Sequence, residues 1–160
     1  MPDECCCPPR PQDPAERRTC PRSGTHGSPV DLTTVKALLT ERALQRVSGS
    51  PYRFCRDPAC EVVYFNGTDQ VFVADDLRVP VWQKEPAGAR MLCYCFGENE
   101  ADMRREIVEF GTSQAVERIR AHITAGRCAC ELRNPRGACC LGDVVSAVKR
   151  VEAAAFQARM

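Results

Sequence analysis

Hydrophobic positions are nearly missing from the first 29 residues, where Met1 and Ala15 are the only apolar side chains apart from cysteines. That stretch also holds seven of the twelve prolines. It cannot bury enough surface to offset the entropy of ordering it, so residues 1–19 are expected to form a disordered Pro/Cys tail. From Val30 the pattern changes. "DLTTVKALLTERALQRV" places Leu32, Val35, Leu38, Leu39 and Val47 at helical spacing, with Thr33 or Thr34 as N-cap and "SGSP" as the stop. Three apolar runs follow, "YRFC", "EVVYFN" and "QVFVA", and predict strands; Asn66-Gly67 between the last two marks a hairpin. "RVPVW" predicts a further strand that Pro80 confines to an edge. Residues 20–84 therefore read as a small α+β unit.

After the polar linker "QKEPAGAR" the period becomes helical. Helices are predicted over 99–110 and 113–124, joined by a turn at Gly111-Thr112. A Gly/Pro/Cys loop, "AGRCACELRNPRGACC", leads to a last helix from about Leu141, whose Val144, Val145, Val148 and Val151 form a core-facing stripe. Residues 90–160 read as a second, all-helical unit, so the fold class is α+β. No internal sequence repeat relates the two.

Charge narrows the field. Lys plus Arg exceed Asp plus Glu by one, 22 against 21, so no global field favours nucleic acid or an anionic membrane. No apolar run reaches the roughly 18 residues of a membrane span, and "MPDE" does not begin a signal peptide. The expected location is cytoplasmic, where thiols stay reduced. Twelve cysteines there read as metal ligands rather than disulfides.

Cys93-Tyr94-Cys95 precedes the helical hairpin, and Cys128, Cys130, Cys139 and Cys140 follow it. Two antiparallel helices return the second group to the end of the first, so four thiolates can converge. Such a set suits tetrahedral zinc or an iron–sulfur cluster. Helix starts near Asn99 and Leu141 and the free amides of "NPRGACC" favour the anionic cluster; a zinc knuckle is the alternative. Upstream, Cys55 and Cys60 flank a turn with Asp57 and Pro58. They form either half of a zinc site or a pair of half-buried thiols.

These motifs together resemble a known family. "MLCYCFGENEADM" with "AGRCACELRNPRGACCLGDV" is similar to the Bfd-like [2Fe-2S] module of CopZ-type metallochaperones. "YRFCRDPACEVVYFN" is similar to the zinc-binding module that precedes it there, and "CPRSG" stands where that family has Cys-Pro-x-Cys-Gly. The resemblance spans about residues 20–145. It implies a small zinc-binding α/β unit followed by an all-helical Bfd-like domain. By position it assigns Cys93, Cys95, Cys130 and Cys140 to a [2Fe-2S] cluster and Cys20, Cys55 and Cys60 to zinc. Cys128 and Cys139 are then spare, with Cys139 an alternative ligand.

Ser23 departs from the family pattern at the fourth zinc position. His26, a cysteine of the Cys5–Cys7 run, or water can complete the set, with His26 favoured and the neutral serine hydroxyl the poorest donor. The function implied is metal handling in copper or other soft-metal homeostasis, with one-electron redox through the cluster. Copper or mercury ions and a redox or metal-transport protein are the expected partners, with no nucleic acid and no membrane. The alternatives are a Bfd-like ferredoxin serving a reductase and a structural metal-bound interaction module. Cys5–Cys7 offer a further soft-metal trap. No Cys-x-x-Cys occurs, so delivery through the heavy-metal domain of fuller relatives is not expected of this chain. No acid–base or nucleophile constellation is visible, which leaves enzymatic activity open.

Overall fold

A computed structural model describes residues 17–160. The Cys5–Cys7 run and most of the predicted tail lie outside the described residues. A four-stranded antiparallel meander forms the first unit, in the order β1 (Ser28–Val30), β2 (Tyr52–Phe54), β3 (Val62–Asn66), β4 (Val71–Val73). Helices α1 (Leu32–Leu38) and α2 (Glu41–Leu44) connect β1 to β2. On one face Val35, Leu38 and Leu39 pack with Tyr52, Phe54, Tyr64 and Phe72. On the other, Val62 and Phe65 pack with Cys20 and Cys55. Every residue of β3 is buried, which explains why "VVYF" reads as an unbroken apolar run instead of alternating.

The predicted hairpin forms between β3 and β4, with the Asn66 side chain accepting from the backbone N–H groups of Thr68 and Gln70. The predicted first helix is broken. Leu39 is extended and pairs with Leu77 in an isolated bridge, and Thr40 restarts the helix by accepting from the Ala43 N–H. Burying Leu39 completely while satisfying the backbone of residues 38–40 against 76–78 outweighs helical continuity. Asp31, not Thr33 or Thr34, is the N-cap. "RVPVW" is not a strand: its end is a single 3-10 turn, Trp82–Lys84, and Trp82 packs against the core of the second unit.

That second unit is not all helical. β5 (Met91–Cys93) and β6 (Glu98–Asn99) form a small antiparallel sheet before α3 (Glu100–Phe110), α4 (Ala115–Thr124), α5 (Cys130–Arg133) and α6 (Leu141–Ala158). Gly97, at φ 75°, donates its N–H to the Cys93 carbonyl and closes the hairpin turn. The helices pack through Met103, Ile119, Val144 and Val148, around Leu92. Asn99 caps α3, accepting from the Asp102 N–H. Arg118 on α4 makes a two-pronged ion pair with the buried Glu98, at 2.6 and 2.9 Å.

The two units meet through α1, α5 and the loop after it. Thr34, buried on α1, donates its hydroxyl to the Glu131 carbonyl at 2.6 Å. Tyr64, at the centre of β3, donates to the Pro135 carbonyl at 2.6 Å. Gly137 lies so close to Thr34 that a Cβ there would stand 2.9 Å from Oγ1, and its φ of 67° also favours glycine. Deleting a buried donor and orphaning its carbonyl costs about 1–2 kcal/mol. Tyr64→Phe is therefore expected to lower Tm by several degrees while keeping the far-ultraviolet circular dichroism of the parent. An unchanged Tm shows that the junction does not bear on stability.

Candidate metal centres

Cys20, Cys55 and Cys60 come from three separate segments, yet their sulfurs lie within 4.8 Å of one another. Cys20 precedes a tight turn in which its carbonyl accepts from the Gly24 N–H. Cys55 follows β2 directly, and Cys60 closes the turn after it by donating its N–H to the Asp57 carbonyl. The Lys84 ammonium anchors that turn through the carbonyls of Cys55 and Asp57, at 3.0 and 2.5 Å. Cys20 and Cys55 are buried, whereas Cys60 is partly exposed.

A tetrahedral zinc with Zn–S bonds of about 2.3 Å sets its sulfurs about 3.8 Å apart; the Cys20 and Cys60 sulfurs are 3.9 Å apart. The donor set fits zinc. Burial opposes ionisation of Cys20, but N–H groups of Ser23 and Arg22 and the hydroxyl of Ser23 outweigh it and lower its pKa. Burial raises the neighbouring Cys55 thiol. Binding a metal here releases protons, as thiolate sites do. His26 does not join the three sulfurs. It is exposed and pairs with Thr19 in an isolated bridge. The side chain standing beside the sulfurs is Ser23, whose Oγ is 3.6 Å from the Cys55 sulfur.

In the second unit, Cys93 ends β5 and Cys95 lies in the turn between β5 and β6. Cys130 opens α5, and Cys140 is the N-cap of α6. The Cys95 and Cys130 sulfurs are 3.9 Å apart, and Cys93 and Cys140 are buried in one cluster. The neighbouring Cys140 thiol holds Cys93 down at about 6, and Cys93 together with burial pushes Cys140 well above the ordinary thiol range. Burial and the neighbouring Cys95 push Cys130 up to about 12. The Ala129 N–H donates to the Cys95 sulfur at 3.3 Å. Cys139 is exposed and Cys128 partly so.

Asn134 fixes the loop between Cys130 and Cys140. Buried, it donates its side-chain amide to the Ala138 carbonyl and accepts from the Arg136 N–H, while its backbone N–H returns to the Cys130 carbonyl at 2.9 Å. Arg136 pairs with Asp143 in the first turn of α6 at 2.9 Å. Sequence reasoning named the cysteines but not Thr34, Tyr64 or Asn134. For Asn134 the signal was present in its Asn-Pro-x-Gly setting, which marks a side-chain-bonded turn.

Three clustered cysteines against a small sheet, with four more in the second unit, define a cysteine-based metal-binding protein. Residues 17–78 match the CopZ-type family described as a zinc binding domain. The copper chaperone CopZ of Archaeoglobus fulgidus is 35% identical over 145 residues, spanning 83% of this chain and 68% of that protein. The X-ray structure of the CopZ N-terminal domain of the same organism superposes with a TM-score of 0.65 at 32% identity, over 80% of this chain and 95% of that one. This chain belongs to the CopZ family. Among the described residues no helix is long and apolar enough to cross a membrane.

A structural zinc site contributes about 10–16 kcal/mol of apparent free energy near neutral pH, comparable to the roughly 5–15 kcal/mol that stabilises a small domain. A strong chelator at pH 7 is thus expected to lower the Tm of the zinc-loaded protein by at least several degrees. Cys55→Ser should melt at the lower temperature with or without chelator. A parent Tm indifferent to chelation refutes a stabilising zinc.

Proposed function

We propose that this chain handles copper or another thiophilic metal, with zinc at Cys20, Cys55 and Cys60 and a [2Fe-2S] cluster at Cys93, Cys95, Cys130 and Cys140. The observation that carries this reading is that Cys95 and Cys130 bring their sulfurs to 3.9 Å beside the buried Cys93 and Cys140, while among the described residues no three of these four sulfurs lie within 4.8 Å of one another. A [2Fe-2S] cluster takes four cysteine thiolates, two to each iron; a mononuclear site needs all four about equally close. The relationship to a copper chaperone supports the metal-handling role. We take 20–84 as the zinc module and 90–160 as the Bfd-like module.

When bound, the cluster supplies one-electron chemistry, suited to changing the oxidation state of an incoming metal ion or to exchange with a redox partner. The protein's part is to hold and tune. The Ala129 N–H placed on the Cys95 sulfur stabilises negative charge there and favours the reduced state. Cys93, Cys130 and Cys140 are buried, which limits the access of water and oxygen to their sulfurs. The site also lies at the positive end of α6, an 18-residue helix whose first residues follow Cys140 directly.

Protein purified without oxygen is expected to be red-brown, to carry iron and acid-labile sulfide in equal amounts together with zinc, and to lose its visible band on dithionite treatment. Cys140→Ser should abolish the colour, whereas Cys139→Ser should keep it. A colourless protein holding zinc alone refutes the cluster. A coloured protein whose reduced form fails to react with Cu(II) removes metal-ion reduction and leaves the electron-transfer reading.

A further inference from the structure

The corner that the cysteine pattern leaves blank is filled. Ser23 Oγ is 3.6 Å from the Cys55 sulfur. A tetrahedral zinc with an oxygen at about 2.1 Å and a sulfur at about 2.3 Å separates those two atoms by about 3.6 Å. The hydroxyl therefore stands one tetrahedral edge away from Cys55, just as Cys60 stands one edge away from Cys20. One lone pair of Ser23 Oγ accepts from the Thr25 N–H at 3.3 Å, which fixes the rotamer and leaves the second lone pair free for a metal. Among the described residues no histidine, carboxylate or further cysteine joins the three sulfurs.

Resting on the zinc assignment made above, we propose that Ser23 is the fourth ligand of this site and the corner at which the metal is exchanged. Three thiolates and a neutral alcohol leave a bound zinc ion with one net negative charge, where four thiolates would leave two. The alcohol is the weakest donor of the set and the first to yield. Access favours the same corner. Cys20 and Cys55 are buried, whereas Ser23 and Cys60 line an open cleft of about 300 Å³ together with Arg22, Asp57 and Glu61. An incoming chelating ligand thus meets the oxygen corner and Cys60 before the two buried sulfurs. The site would take zinc and release it to a competing ligand, unlike a closed four-thiolate knuckle that holds its ion.

Zinc K-edge absorption on the zinc-loaded full chain tests the ligand, and transfer of zinc to 4-(2-pyridylazo)resorcinol tests the exchange. The parent is expected to show three sulfurs and one oxygen, without the outer-shell scattering of imidazole. Ser23→Cys should show four sulfurs and surrender zinc more slowly by on the order of tenfold or more, the scale that even partners outside a coordination shell command. Imidazole scattering that disappears in His26→Ala overturns the proposal. So do four sulfurs in the parent that fall to three when Cys5, Cys6 and Cys7 are changed to serine. Equal transfer rates for the parent, Ser23→Ala and Ser23→Cys also overturn it. A parent that binds no zinc at all defeats the zinc assignment itself, a separate result from any of these.

Discussion

The placement of Cys130 and Cys140 depends on two hydrogen bonds that cross between the units, from Thr34 to the Glu131 carbonyl and from Tyr64 to the Pro135 carbonyl. The loop between these cysteines has little apolar surface with which to hold itself: Leu132 is exposed, and Pro135 is followed by Arg136 and Gly137. Ordering such a segment costs about 1–2 kcal/mol per residue in backbone entropy alone. Asn134 offsets part of this from within, but a loop knitted only to itself can still swing as a body. The donors from α1 and β3 fix where it stands. The second pair of sulfurs is thus positioned by a sheet belonging to the other unit.

β3 is the shared beam. Its first residue, Val62, follows Cys60 closely and packs with Phe65 against Cys20 and Cys55. Tyr64, between them in sequence, packs in the opposite cluster with Phe54 and Phe72 and reaches the Pro135 carbonyl. One strand therefore packs against the Cys20 and Cys55 thiols with Val62 and Phe65 and reaches the second cysteine loop with Tyr64. A β-bulge between Val62 and Tyr64 interrupts the register with β4 at the point where the strand turns from one duty to the next.

Much of this was legible in the chain. Period and punctuation located β2, β3, β4, the hairpin at Asn66, and the long helices α3, α4 and α6 to within a few residues. The cysteine spacing and the family pattern named Cys20, Cys55 and Cys60, which the fold brings together, but also favoured His26, which it does not. What was hidden depended on partners distant in sequence. Leu39 leaves its helix because Leu77 offers a backbone bridge, and Trp82 crosses into the second core because Tyr94 grips the backbone at Pro80 and Trp82. The β5–β6 hairpin escaped notice because two strands so short carry no periodic signal, and only the conformation of Gly97 reveals the turn.

Ser23 shows how donor strength and placement can point in different directions. Ranked by chemistry, imidazole is a better zinc ligand than an alcohol, and that ranking favours His26. Placement is set earlier, by the backbone. The bridge between Thr19 and His26 commits His26 to the outer side of a narrow ribbon, while the turn from Cys20 to Gly24 carries Ser23 inward beside Cys55. Turning His26 in would break that bridge. It would also disturb Gly27, where even a Cβ would meet the Phe65 ring at 2.5 Å. A strong ligand held on the wrong side of a ribbon contributes nothing, and a weak one already standing beside the sulfurs needs little reorganisation. The same backbone that excludes the imidazole leaves Ser23 on the open cleft beside Cys60, the one partly exposed sulfur of the three.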